Sequence, residues 1–356
     1  MTTLHHPDLR GAVAGFVAER LGRPPAEIEY EPLRGGLIAS AVRRVTVRWR
    51  EDGRERRWRF VAKRLDPEQH RELAAHRELA SRLPGRLAPA LLGSAELAGG
   101  GEVLFLEWIR ATRRWPWSDP AAICRATRRL SRVHRELAGI DRPAELAAWD
   151  YERDLREMAA ATLEAFADLP PGPDWAPIRR VRRAVERLVA TLPELRRQLL
   201  PAGGTWIHGD VHPGNVLIGR HAGAPAVTFV DWGRLRRGSP LEDLSSWLVS
   251  LGHWEPAARR HHDRLAAAYL VAAGRARRLT GPLRDAYWLA GASNALAGAL
   301  RHHLLAAIHA ADESERQEEL GAARSWARVV RHADARWRAP VTIDPFLFAP
   351  AAGARR

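Results

Sequence analysis

Most of the chain beyond residue 120 reads as helix, but one interval breaks that pattern: GTWIHGDVHPGNVLIGRHAGAPAVTFVDWG, residues 204–233. Two β-rich runs flank a Gly/Pro turn, which predicts a β-hairpin inserted among helices, with polar residues clustered at its ends. Asp210 and Asn215 lie five apart in the loop HGDVHPGN, and Asp231 closes a run of β-branched and aromatic residues. Two carboxylates and an amide oxygen are hard oxygen donors of the kind Mg²⁺ prefers, since that ion takes few protein ligands and keeps water and phosphate oxygens for the rest. A carboxylate left off the metal can accept the proton of an attacking hydroxyl, while the other, with the amide, holds charge-neutralising ions. That division of labour is what phosphoryl transfer requires.

The N-terminal part has a different pattern. IEYEP, the alternating AVRRVTVRW and WRFVAKRL predict three strands of an antiparallel meander over residues 28–65, the last two joined by the Asp-Gly turn of REDGRER. Asp66 as cap, Pro67 at the first helical position and Gln69 three residues after the cap predict a helix running to about Leu83. ALLGSAEL and VLFLEWI, the latter residues 103–109, predict two further strands. From residue 120 the apolar stripe Ile123, Ala126, Leu130, Val133 and Leu137 starts a helical series that continues, apart from the hairpin, to about residue 338. The expected organisation is α+β and bilobal. Residues 1–110 form a small antiparallel-sheet lobe with one helix, ending in a hinge strand. Residues 111–356 form a larger, mainly helical lobe, and a ligand would sit in the cleft between them. Residues 1–25 carry no motif.

Charge argues about partners less than it first suggests. The formal net charge is +14, which ordinarily points to nucleic acid or an anionic surface. Here the basic residues are interleaved with acids along helical faces, as in RELAAHRELASR, and a coding bias towards arginine accounts for the excess. No nucleic-acid partner is expected. No apolar run approaches the roughly 20 residues of a membrane span, no secretory leader is evident, and the single cysteine, Cys124, suits a reducing cytoplasm. Among 56 basic residues only one, Lys63, is a lysine. A chain that uses arginine everywhere else is expected to keep a lysine where a compact ammonium serves and a planar guanidinium does not.

HGDVHPGN, the strand ending Asp-Trp-Gly and the following GSPLEDLSSW together resemble the catalytic and metal-binding motifs of the aminoglycoside phosphotransferases, small-molecule kinases that share the protein-kinase-like fold with the choline kinases. The resemblance covers roughly residues 28–250. It implies Asp210 as catalytic base, Asn215 and Asp231 as Mg²⁺ ligands, and Asp243 with His208 as supports of the catalytic loop, His212 being structural. It implies Lys63 as the lysine on the nucleotide's α- and β-phosphates and Glu72 as its partner, with Glu78 as the rival. Gly35, Gly36 and Ser40, in LRGGLIAS, fall at the nucleotide-covering loop, although the full protein-kinase glycine pattern is missing. Glu107 and Ile109 fall at the hinge that would hydrogen-bond adenine. His134, in LSRVHREL, falls in a helix-packing position.

The implied activity is a cytoplasmic, Mg²⁺-dependent transfer of the γ-phosphoryl group of ATP or GTP to a hydroxyl of a small molecule, an antibiotic or related natural product, by a monomer or homodimer. Two alternatives stay open: a kinase of common metabolites such as choline, sugars or amino-alcohols, and a pseudokinase that binds nucleotide without turnover. Residues 254–338 carry 14 arginines against 9 acids, which gives no support to a polycationic acceptor. A protein kinase is disfavoured because Ser239 follows Asp231 by only eight positions, too few for an activation loop.

Overall fold

The structure is a computed structural model and describes residues 7–24, 27–33, 42–66, 71–98, 100–111, 119–140, 146, 150–200, 204–221, 224–275 and 278–337. Two compact units emerge: Met1–Trp115 with Ile140–Ala147 and Gly214–Leu235, and Pro116–Gly139 with Ala148–Pro213 and Arg236–Arg356. The β-hairpin within Gly214–Leu235 therefore groups with the first unit, while residues 204–213 group with the second.

In the first unit α1 (Pro7–Leu21) precedes β1 (Glu27–Pro32), β2 (Val42–Glu51) and β3 (Arg54–Leu65), then α2 (Arg71–Glu78), β4 (Leu91–Glu96) and β5 (Glu102–Glu107). The five strands form one antiparallel sheet in the order β1-β2-β3-β5-β4. The expected Asp-Gly turn is present: Asp52 (φ 50°) and Gly53 (φ 72°) take the left-handed conformations of a tight hairpin turn between Glu51 and Arg54. Period-two alternation divides β3 between two faces. Phe60 and Ala62 point to one, where they pack with Val45, Val47, Val103 and Phe105, and Lys63 belongs to the other.

The sequence predicts one helix in this unit; the structure adds α1. Leu9, Val13 and Val17 recur every four residues and are buried against the sheet, with Phe16 stacked on Phe105 at 4.0 Å between ring centroids. Burying each such side chain contributes about 1.5–3 kcal/mol, so packing, more than any sequence signal at its start, holds α1.

Two boundaries also differ from expectation. The helix beginning near Asp66 was expected to reach Leu83; α2 ends at Glu78 and the chain tightens into a 3₁₀ turn, Ala80–Arg82. Leu83 is already extended (φ −75°, ψ 121°), as the residue before a proline prefers. Pro67 and Gln69 lie outside the described residues. The hinge strand was expected to reach residue 109; β5 ends at Glu107.

The second unit is built on α3 (Pro120–Ala138), α4 (Tyr151–Ala165), α5 (Ala176–Arg179), α6 (Arg182–Ala190) and α7 (Leu192–Leu199). A short strand β6 (Thr205–Ile207) follows. β7 (Val216–His221) and β8 (Ala224–Phe229) are the first unit's hairpin, after which β9 (Arg236–Gly238) returns to pair antiparallel with β6. Then come α8 (Pro240–Trp254), α9 (His262–Ala272), α10 (Gly281–Asn294), α11 (Leu300–Ile308) and α12 (Glu313–Trp337). The Ser239 cap read from sequence is realised as a complete capping box, in which Ser239 accepts from the first turn and Glu242 accepts from the Ser239 N–H.

Candidate active site

In the first unit the hairpin register sets the geometry. Val216 pairs with Phe229, and the Val230 N–H donates to the Asn215 carbonyl at 3.0 Å. Asn215 and Asp231 therefore stand at the same end of β7 and β8. Asn215 is buried, whereas the Asp231 carboxylate is 44% exposed. Asp231 holds a left-handed backbone (φ 64°, ψ 69°), which is unusual for a residue with a side chain and costs of the order of 1 kcal/mol. Buried Trp232, whose indole N–H donates to the Phe229 carbonyl at 2.9 Å, and the Arg71 guanidinium, donating to the Leu235 carbonyl at 2.8 Å, fasten the turn on both sides.

Lys63 reaches both acids. Its Nζ lies 2.6 Å from Glu72 Oε2 and 3.0 Å from Asp231 Oδ1. Burial pulls the ammonium's pKa down, but Glu72 and Asp231 outweigh it and hold the pKa above the ordinary lysine value. Burial pushes the Glu72 carboxyl up to about 7 against the opposing pull of Lys63, and the nearby Asp231 carboxylate adds to the push. Glu78, the rival partner, instead faces Arg82 at 3.8 Å.

In the second unit the loop carrying Asp210 is held from behind by Asp243, which is completely buried. Its Oδ2 accepts from the His208 N–H at 2.8 Å and from His134 Nε2 at 2.9 Å, and its Oδ1 accepts from the Gly209 N–H at 2.8 Å. An acceptor at Nε2 fixes the proton there, so in the neutral ring Nδ1 accepts from the Tyr269 hydroxyl, 2.6 Å away. Burial pushes the Asp243 carboxyl up, but the His134 hydrogen bond, the neighbouring histidines and the Gly209 N–H prevail and keep it below the usual carboxylate range. Gly209 sits at φ 82°, a conformation glycine adopts without a side-chain clash, so the loop can offer its N–H to Asp243 and its carbonyl to Arg236 (3.0 Å). The Asp210 N–H donates to His208 Nδ1 at 3.3 Å, and the Asp210 carboxylate is about one-third exposed, 4.0 Å from His212 Nε2.

Sequence reasoning missed Arg236 and its partners. This buried guanidinium also donates to Glu242 Oε2 (2.9 Å) and Asn294 Oδ1 (3.1 Å). Glu242 further accepts from Ser293, which accepts from Tyr151. The one available signal was Ser-Pro-Leu-Glu at 239–242, a capping-box spelling that places an acid behind the loop. His134, read as helix packing, turns out to be a hydrogen-bond donor to Asp243. At the position expected for the hinge, Glu107 pairs with Arg86 and its N–H donates to the Ala90 carbonyl, so a ligand contact through its backbone would have to use the carbonyl. Ile109 lies just beyond the strand and is buried. Gly35, Gly36 and Ser40 lie outside the described residues.

The profile of the Phosphotransferase enzyme family matches residues 29–288. A sequence comparison with curated proteins finds no significant match. Among solved structures the fold is similar to APH(2")-IIia, solved with GDP and kanamycin (14% identity, TM-score 0.58, 91% of this chain and 98% of that one). It is also similar to an aminoglycoside phosphotransferase, APH(4)-Ia, solved with AMP-PNP and hygromycin B (15%, 0.53, 90% and 98%), and to APH(3'')-Id from Streptomyces rimosus, solved with ADP and streptomycin (19%, 0.50, 80% and 98%). With a protein-kinase-like fold and a family profile spanning most of its length, the chain belongs to the phosphotransferase enzyme family, as a small-molecule phosphotransferase acting on hydroxyl groups.

Proposed function

We propose that the chain is a kinase that transfers the γ-phosphoryl group of ATP or GTP to a hydroxyl of an antibiotic or related natural product. The observation that carries this reading is Lys63, the chain's only lysine, held between Glu72 and Asp231. In the proposed reaction Asp210 accepts the proton of the acceptor hydroxyl as its oxygen bonds to the γ-phosphorus. The bond from that phosphorus to the β-phosphate bridging oxygen breaks, and the nucleoside diphosphate leaves. Lys63 donates to the α- and β-phosphates and Glu72 keeps it aimed. Asp243 and His208 are positioning residues that act through the loop. Asn215 and Asp231, an amide oxygen and a carboxylate brought to one end of the hairpin, suit Mg²⁺ and would hold it, and when bound it neutralises charge on the phosphates. Glu107 and Ile109 are the proposed adenine contacts, and Gly35, Gly36 and Ser40 the proposed phosphate-loop contacts. The proposed site of action is the cytoplasm; among the described residues no helix is long and apolar enough to cross a membrane.

The arginine excess across residues 254–338 favours an acceptor that is not strongly cationic. A nucleotide-turnover screen over an antibiotic and alcohol library, with Asp210→Asn as the blank, tests the proposal. Turnover restricted to common metabolites such as choline would replace the natural-product acceptor with a metabolic one. Nucleotide binding with no turnover on any hydroxyl would mean a pseudokinase.

A further inference from the structure

Three helices of the second unit bring together a group that the phosphotransfer reading does not use. His302 and His303 of α11 and Glu319 of α12 place one ligand atom each within 4.8 Å of the others. His303 Nδ1 and Glu319 Oε2 are 2.7 Å apart, and the two imidazoles lie 5.0 Å apart between centroids with planes at 73°. His253, near the end of α8, lies beside α12. Its imidazole lies over Gly321 of α12, where an added Cβ would come within 3.3 Å of its Cε1, so the missing side chain lets the ring approach the helix two residues beyond Glu319. The Glu319 carboxyl is held below the usual range, first by the His303 hydrogen bond, against burial, and then by the fields of His303, His302 and His253. His303 and Glu319 remain about one-fifth exposed, leaving a path for an ion.

We propose that His253, His302, His303 and Glu319 form a binding site for a divalent transition-metal ion of the zinc type, separate from the Mg²⁺ requirement of phosphoryl transfer. Imidazoles with one carboxylate are borderline donors that favour Zn²⁺ over Mg²⁺, which takes oxygen ligands in an octahedral array. Zn–N and Zn–O bonds of about 2.0–2.2 Å put tetrahedral ligand atoms about 3.3 Å apart, so the spread of up to 4.8 Å among His302, His303 and Glu319 closes by side-chain rotation with little helix movement, and His253 is the fourth ligand the proposal adds from α8. The ion replaces the proton now shared between His303 and Glu319, and it ties α8 to α11 and α12.

The test is Zn²⁺ titration by calorimetry of the tag-free, chelator-stripped full chain, with Mg²⁺ in excess as competitor. One Zn²⁺ per chain, not displaced by Mg²⁺ and weakened at least tenfold in both His303→Ala and Glu319→Gln, is the expected result. A tenfold loss is about 1.4 kcal/mol. Zn²⁺ binding as tight in a His302→Ala/His303→Ala double variant as in the wild type would place the ion on other histidines and overturn the proposal, as would no binding by the wild type at about a hundred micromolar metal, too weak for a built transition-metal site. Co²⁺ loading of the unaltered protein gives a readout independent of any variant's folding. Visible bands of four-coordinate cobalt are expected, and a spectrum like that of the aqueous ion would contradict the site.

Discussion

Replacing Asp243 by asparagine keeps the shape of the side chain and removes one acceptor from a buried set of three donors. Oδ2 serves His208 N–H and His134 Nε2, and Oδ1 serves Gly209 N–H, all at 2.8–2.9 Å. If the asparagine oxygen takes the Oδ2 place, its amide faces the Gly209 N–H and a buried donor goes unpaired, which costs about 1–3 kcal/mol. The two surviving bonds change from charge-assisted to neutral, at about 1 kcal/mol each. The total, about 3–5 kcal/mol, is a large part of a typical folding free energy and should lower the midpoint of the second unit by on the order of 10 °C in calorimetry at pH 7. The wild-type advantage also has a pH signature. Asp243's folded-state pKa is depressed below the ordinary 3.8, so its contribution is present above that value and is lost as pH falls through the folded value. The gap between wild type and variant should therefore narrow in acid below about pH 4. A loss under about 1 kcal/mol at pH 7, or a gap that does not shrink in acid, would refute the claim that this carboxylate braces the loop through charged hydrogen bonds.

Lys63→Arg keeps the charge but puts a longer, forked donor where Nζ now sits 2.6 Å from Glu72, and should lower turnover at least tenfold in a coupled assay while the fold, followed by circular dichroism, persists. Glu72 has a folded-state pKa raised to about 7, so burial favours its protonated form: the stability it contributes is present below about 4.5 and is lost as pH rises through about 7. Denaturation midpoints across pH 4–8 should show that fall in the wild type and a flatter profile in Glu72→Gln. Phe16→Ala removes the ring stacked on Phe105 and should destabilise the first unit by about 2–4 kcal/mol in urea unfolding.

What could be read from the sequence follows from the range of the forces involved. Strands β2 and β3 are legible because alternation and an Asp-Gly turn act between neighbours; Lys63 stands out as the lone lysine, but its pairing with Glu72 comes from the family resemblance, and the fold brings the two side chains to 2.6 Å. Asp210, Asn215, Asp231 and Asp243 lie in three short motifs close together in sequence, HGDVHPGN, FVDWG and GSPLEDLSSW. Arg236 was not legible: its contacts to Gly209 and Asn294 span 27 and 58 residues, and among so many arginines nothing marks the buried one. Helix α1 escaped for a related reason, since its stripe of Leu9, Val13 and Val17 gains meaning only from the sheet it covers. The His253, His302, His303 and Glu319 group likewise exists only through the packing of three helices.

The central claim is that Asp210 accepts the proton of an acceptor hydroxyl, and the most direct measurement is turnover by Asp210→Asn beside nucleotide affinity in the same preparation. The account predicts that wild-type protein phosphorylates at least one hydroxyl compound from the library. It also predicts that the variant loses about 10²–10⁴-fold in rate, the ordinary worth of a positioned base, while its nucleotide dissociation constant changes by less than about threefold, under 1 kcal/mol. Turnover in Asp210→Asn within tenfold of wild type would contradict it.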